Sequence, residues 1–180
     1  MKLTGFLPFV VAALAPFSVF AAGSDSTTPP TPTETTTTCA EGTIWDDKTK
    51  TCVAPVQGQL DDDQLYRAVR ELAYAEKYDT ALLALAAMSD QSDDRVLTYL
   101  GFINRKMGHI ETGMDYYQQA LVQNPDNLLA RSYMGQGLVE QGEIVLAEAQ
   151  LDEIVARGGA GTWAETALRQ AIETGETYTY

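Results

Sequence analysis

Residues 94–127 read DRVLTYLGFINRKMGHIETGMDYYQQALVQNPDN, and residues 128–161 read LLARSYMGQGLVEQGEIVLAEAQLDEIVARGGAG. At a spacing of 34, Tyr99-Leu100-Gly101 falls on Tyr133-Met134-Gly135, Gly108 on Gly142, Ile110 on Ile144 and Ala120-Leu121 on Ile154-Val155. Self-similarity at this period marks a stack of supersecondary units that bury their apolar faces against one another. Within the first copy, Leu97, Leu100, Gly101 and Asn104 recur at helical spacing, and Gly108-His109 supplies a turn. Ile110, Gly113, Met114, Tyr117, Ala120 and Leu121 then mark a second helix that Asn124-Pro125 ends. Gly101 and Gly113 are expected where the two helices of the unit approach closely.

These residues resemble the tetratricopeptide repeat. Its helix-turn-helix unit places a small residue eight positions in, a turn in the middle, small and aromatic residues in the second helix, and a closing proline. Residues 94–127 match through Leu97, Leu100, Gly101, Gly108, Tyr117, Ala120 and Pro125. Residues 128–161 keep Met134, Gly135, Gly142, Ala147, Leu151 and Ile154, with Gly159 in place of the proline. Residues 62–93 form a shortened copy through Leu65, Ala68, Leu72, Tyr78, Ala81, Leu85 and Met88, with Val69 where the glycine belongs. Trp163, Ala164, Ala167, Leu168, Ala171 and Ile172 then line one face of a capping helix over 162–174, before a tail at 175–180. The resemblance implies an all-α, right-handed superhelix of about three repeats. Asp61 to Asp63, Asp93-Asp94 and Asp126-Asn127 stand where helix N-termini need acceptors.

In that family the first helix of each unit lines a concave groove that binds an extended peptide. The corresponding positions here gather Tyr66, Arg67, Arg70, Tyr74, Arg95, Tyr99, Phe102, Arg105, Lys106, Tyr133 and Gln136. The resemblance therefore implies a basic, aromatic groove for a protein or peptide with an acidic or extended segment, because Arg pairs bidentately with carboxylate and aromatic rings give contact area. The alternative is that these rings pack between helices and the arginines pair with nearby acids. The lysine and asparagine with which some such repeats clamp a C-terminal carboxylate are absent at the matching positions.

The chain of 180 residues carries 12 Lys and Arg against 25 Asp and Glu, for a net charge of -13. That balance argues against nucleic acid and against anionic lipid as partners. Residues 1–21 begin with Lys2, run apolar from Phe6 to Phe20 and end in Val19 and Ala21 at small-residue positions. They read as a signal peptide cleaved after Ala21, with Ala22 as the second choice. A membrane anchor is the alternative, and Pro8 and Pro16 in a short apolar run count against it. The mature chain is then expected to be periplasmic or secreted, with no integral membrane segment. Residues 22–38, with GSDSTTPPTPTETTTT over 23–38, offer little to bury and read as a disordered tether.

Cys39 and Cys52 are the only cysteines, and export places them where disulfides persist. They are expected to pair and to staple a hairpin over 39–54 that stands apart from the repeats. A redox role is the alternative, at a spacing far from CxxC. Cys39, Gly42, Trp45, Asp46 and Cys52 also resemble part of the small chitin-binding modules of the peritrophin type, without that family's other disulfides. By that resemblance Trp45 is a candidate glycan contact, and a cell-wall or carbohydrate-binding protein is the alternative function.

His109 is the one histidine, placed in a turn without a nucleophile beside it in sequence. The acidic clusters lack the alternating ligand spacing of a calcium loop. No catalytic residue, metal site or cofactor is therefore expected, and the preferred function is a non-enzymatic scaffold of the cell envelope.

Overall fold

The structure is a computed structural model that describes residues 28–177. The expected signal peptide, the linker up to residue 27 and the last three residues of the tail lie outside the described residues. The described chain is mostly helical: α1 (Glu34–Thr37), β1 (Ile44–Asp46), β2 (Thr51–Val53), α2 (Asp62–Tyr74), α3 (Tyr78–Ala87), α4 (Asp94–Lys106), α5 (Ile110–Gln123), α6 (Leu128–Glu140), α7 (Ile144–Ala156) and α8 (Trp163–Thr174). None of these helices is long and apolar enough to cross a membrane.

From α2 onward the helices pack in successive pairs joined by tight turns, α2 on α3, α4 on α5 and α6 on α7. The first helices α2, α4, α6 and α8 are neighbours in one row, and each second helix also touches the first helix that follows it. The N-caps are the polar residues the chain supplies there. Asp61 accepts from the Gln64 N–H at 2.8 Å, Asp93 from Arg95 at 2.8 Å and Asn127 from Ala130 at 2.8 Å, each satisfying a first-turn donor. Asp94 also accepts from the amides of Asn124 and Asn127 at 2.8 and 2.7 Å, which ties the start of α4 to the loop that ends α5.

The turns within the pairs need a left-handed residue. Gly108 and Gly142 supply it at φ 87° and 79°, whereas the shortened first pair uses Glu76 at φ 58°. A Cβ on Gly101 would sit 2.5 Å from the Tyr117 ring, and one on Gly113 would sit 2.9 Å from the Gly101 carbonyl, so α4 and α5 touch at bare backbone. In the first pair the corresponding residues are Val69 and Leu85, a larger residue facing a smaller one within the same core cluster. In the third pair Leu151 is shorter than Tyr117, and Leu168 of α8 takes the space above Gly135, where a Cβ would meet it at 2.6 Å.

Two expectations are corrected. The hairpin is real, with β1 and β2 antiparallel in the register Ile44 to Val53, and Cys39 is bonded to Cys52 with Cα atoms 5.5 Å apart. It does not stand apart from the repeats. Ile44 is fully buried in the same cluster as Leu65, Val69 and Leu85. Gln64 Nε2 donates to the Trp45 carbonyl at 2.9 Å, and the Gly42 N–H donates to Thr80 at 2.9 Å. Two three-residue strands have no core of their own, so burial against α2 and α3 supplies it.

The expected disordered tether is, from Thr28 to Thr38, a strap laid on α2. Thr33 caps the single turn α1, Thr35 is buried, and the Glu71 carboxylate accepts from the Thr33 N–H at 2.6 Å, the Thr33 hydroxyl at 2.6 Å, the Thr36 N–H at 3.1 Å and the Thr36 hydroxyl. Arg70 donates to the Thr28 carbonyl at 2.9 Å and Lys77 to that of Thr36 at 2.8 Å. Pro29, Pro30 and Pro32 are pre-extended, which lowers the ordering entropy, and the charged residues of α2 provide the partners.

Candidate functional site

The residues expected to line a groove come together on the row of first helices, and most of them are inside. Tyr99, Tyr133, Phe102 and Tyr66 are buried, with Tyr99 at 0% exposure and Tyr133 at 1%. Tyr74 stacks on Phe102 at 5.3 Å between ring centroids, Phe102 lies 4.8 Å from Tyr133, and Tyr66 and Tyr99 meet edge-on at 5.7 Å. Hydroxyls join the rings. Tyr74 Oη is 2.6 Å from Tyr133 Oη, Tyr133 Oη is 3.3 Å from Tyr99 Oη, and Trp163 Nε1 donates to Tyr74 Oη at 3.2 Å. The first, second and third pairs and α8 are thereby bridged on one side.

Burial is the main reason that Tyr74, Tyr99 and Tyr133 are held well above the ordinary tyrosine range, and it pushes Tyr117 up to about 12. These rings stay neutral at neutral pH and act as hydrogen-bonding core.

The expected basic lining is also largely neutralised from within. Arg105 is 2% exposed and runs between α4, α5 and α6, donating to Glu140 at 2.6 Å and to Tyr117 Oη at 3.3 Å, with its guanidinium 5.7 Å from the Phe102 ring centre. A Cβ on Gly137 would meet its side chain at 3.0 Å, so a glycine in α6 makes the channel it occupies. Arg95 pairs with Asp93 at 2.8 Å and Asp63 at 2.9 Å and lies 5.1 Å over the Tyr66 ring. Arg70 is buried under the strap. Lys106, half-buried, reaches Thr177 at 3.4 Å, and its ammonium pKa is lowered chiefly by burial. Gln136 is buried and donates to Ser132 at 3.3 Å. Arg67 alone of the five cations is exposed, 3.9 Å from Asp47 with both side chains 61% accessible, an arrangement worth little in water. The open basic groove expected from the resemblance is therefore filled by its own side chains and, at α2, by the strap.

Sequence reasoning missed Glu71, Trp163 as a partner of Tyr74, and the strap. A signal for the strap was present in Pro32-Thr33-Glu34, a helix-capping threonine followed by an acid, but nothing in the sequence singles out Glu71 as its partner.

Nothing matches this chain among family models, curated proteins or solved structures.

Trp45 is half-buried. Its backbone N–H donates to the Thr35 hydroxyl at 3.2 Å, and it lines, with Thr33, Gln64 and Arg67, a small cavity of about 130 Å³. His109 is exposed as the N-cap of α5. Among the described residues no group of three His, Cys, Asp or Glu side chains is placed to hold a metal ion.

Large apolar side chains are left exposed on the second helices. Leu83 of α3, Val122 of α5 and Ile144, Val145, Leu146 and Val155 of α7 are all exposed.

Proposed function

We propose that the chain is an exported, non-catalytic adaptor of the tetratricopeptide type, working in the periplasm or after secretion, that binds a protein partner. The observation that carries it is the stack of helical pairs. It has spent its concave aromatic residues on its own stability while leaving large aliphatic side chains exposed on its second helices. The Cys39–Cys52 bond fits an oxidising compartment.

The partner binds on the second-helix side. At α2 an extended partner segment could reach the first helices only by displacing the strap, which is itself an extended Thr/Pro chain held by Arg70 and Glu71.

The test places a photo-crosslinking residue at exposed positions of α3, α5 and α7 in the full chain made in its own host, followed by cell fractionation and mass spectrometry. One recurring protein adduct and a mature N-terminus just after Ala21 are expected. A chain retained in the cytosol with its leader, or adducts spread without preference over abundant proteins, refutes the adaptor.

A further inference from the structure

The three second helices start with Tyr78-Asp79-Thr80, Ile110-Glu111-Thr112 and Ile144-Val145-Leu146. The first residue of each triplet is apolar. The next two are polar in the first two helices and aliphatic in α7, where Val145 is 77% exposed and Leu146 51%. Of the eight large apolar residues exposed among the described residues, Ile144, Val145, Leu146 and Val155 belong to this one helix. Asp79 and Glu111 are exposed where α7 has Val145, and Thr112 is exposed where it has Leu146, whereas Thr80 is buried against the hairpin, so the fold itself does not call for an aliphatic residue at the Val145 position.

Acids lie on the same face, among the apolar residues. Val145, Ala149, Asp152 and Ala156 follow one another at helical spacing and are all exposed, with exposed Glu148 beside them. The helix contains Glu148, Asp152 and Glu153 and no Lys, Arg or His. Glu153 is already paired with Arg157, whereas Glu148 and Asp152 have no ion-pair partner among the described residues. We infer that the outer face of α7 docks a cationic amphipathic helix of another protein, an inference that rests on the adaptor function proposed above.

Charge selects the occupant. A second copy would bring Glu148 and Asp152 up against acids of a chain whose net charge is -13, and an anionic lipid surface would be repelled in the same way. A helix that presents both leucine-like anchors and Lys or Arg answers the exposed apolar residues and the two open carboxylates interleaved with them.

The test is fluorescence anisotropy with a labelled helical peptide of about 14 residues, Leu on one face and Lys on the other, titrated with the mature protein; its counterpart carries Glu for Lys. The Lys peptide is expected to bind and the Glu peptide is not. V145S/L146S should weaken binding by about tenfold or more at unchanged circular dichroism and melting, and E148Q/D152N should weaken it and flatten its salt dependence. E111Q/D115N on α5 should leave it unchanged. Absence of binding, or equal affinity in V145S/L146S, overturns the α7 site. The crosslinking experiment then still decides whether another surface makes the chain an adaptor. A sedimenting dimer that V145S/L146S dissolves would give the face to a second copy, and cosedimentation with phosphatidylglycerol vesicles that needs Val145 would give it to lipid. Either result overturns the proposal.

Discussion

Tyr74 Oη of the first helical pair lies 2.6 Å from Tyr133 Oη of the third, across 59 residues of sequence. Successive pairs in a linear stack contact their neighbours, so this bond shows that the first helices of the first and third pairs come within side-chain reach of each other. Tyr133→Phe removes the hydroxyl that serves both Tyr74 and Tyr99 and leaves the ring packing in place. A loss of about 1 to 3 kcal/mol is expected, read as a lower midpoint in urea with an unchanged slope. An unchanged midpoint would show that the hydroxyl network contributes nothing.

The same cluster sets the response to alkali. Tyr74, Tyr99, Tyr117 and Tyr133 have pKa values raised in the folded state, with Tyr117 at about 12. Their contribution is fully present below the unfolded value of about 10 and is lost as pH climbs from there through the folded values, by up to about 1.4 kcal/mol per tyrosine per pH unit. Melting should therefore fall steeply above about pH 10, with the tyrosinate absorbance of these four of the chain's nine tyrosines rising together with unfolding rather than before it.

Because Ile44 is buried in the main core, the hairpin and the helices should melt as one unit. Reducing the disulfide should cost about 3 kcal/mol, and Ile44→Ala about 2 to 5 kcal/mol. Loss of helical circular dichroism at a lower temperature in both cases is the expected signal; an unshifted helical transition would separate the two parts.

Glu71→Ala removes the acceptor for four donors of Thr33 and Thr36. Protease cutting before Cys39 should accelerate while the helical melt moves by only about 2 kcal/mol or less, since the strap adds to α2 but does not build it. Equal cutting rates in parent and variant would show that the Glu71 contacts do not hold the strap.

Substitutions at two backbone positions should have opposite signs. Gly101→Ala drives a methyl into the Tyr117 ring and the Gly113 carbonyl and should destabilise by about 1 to 3 kcal/mol. Glu76→Gly relieves a left-handed residue in the turn where Gly108 and Gly142 stand in the other pairs, and should stabilise by up to about 1 kcal/mol. Thermal melts of the two variants, on either side of the parent, check both.

Local chemistry was legible in the chain. Repeating apolar spacing, Asp61, Asp93 and Asn127 as helix caps, Gly108 and Gly142 in turns, and a single pair of cysteines close in sequence each act over a few residues, so composition and spacing alone announce the helical body and the stapled hairpin. Whether Tyr74, Tyr99, Phe102 and Tyr133 face a groove or one another was not legible, because helical periodicity assigns residues to a face and says nothing of how far that face stands from the next. The packing of the helices decided it, by bringing Tyr74 of α2 to Tyr133 of α6 and Trp163 of α8 and filling the space with rings. The strap was hidden for the same reason. A Thr/Pro segment has too little apolar surface to order itself, and only the folded α2 places Arg70 and Glu71 where its backbone and hydroxyls can find partners.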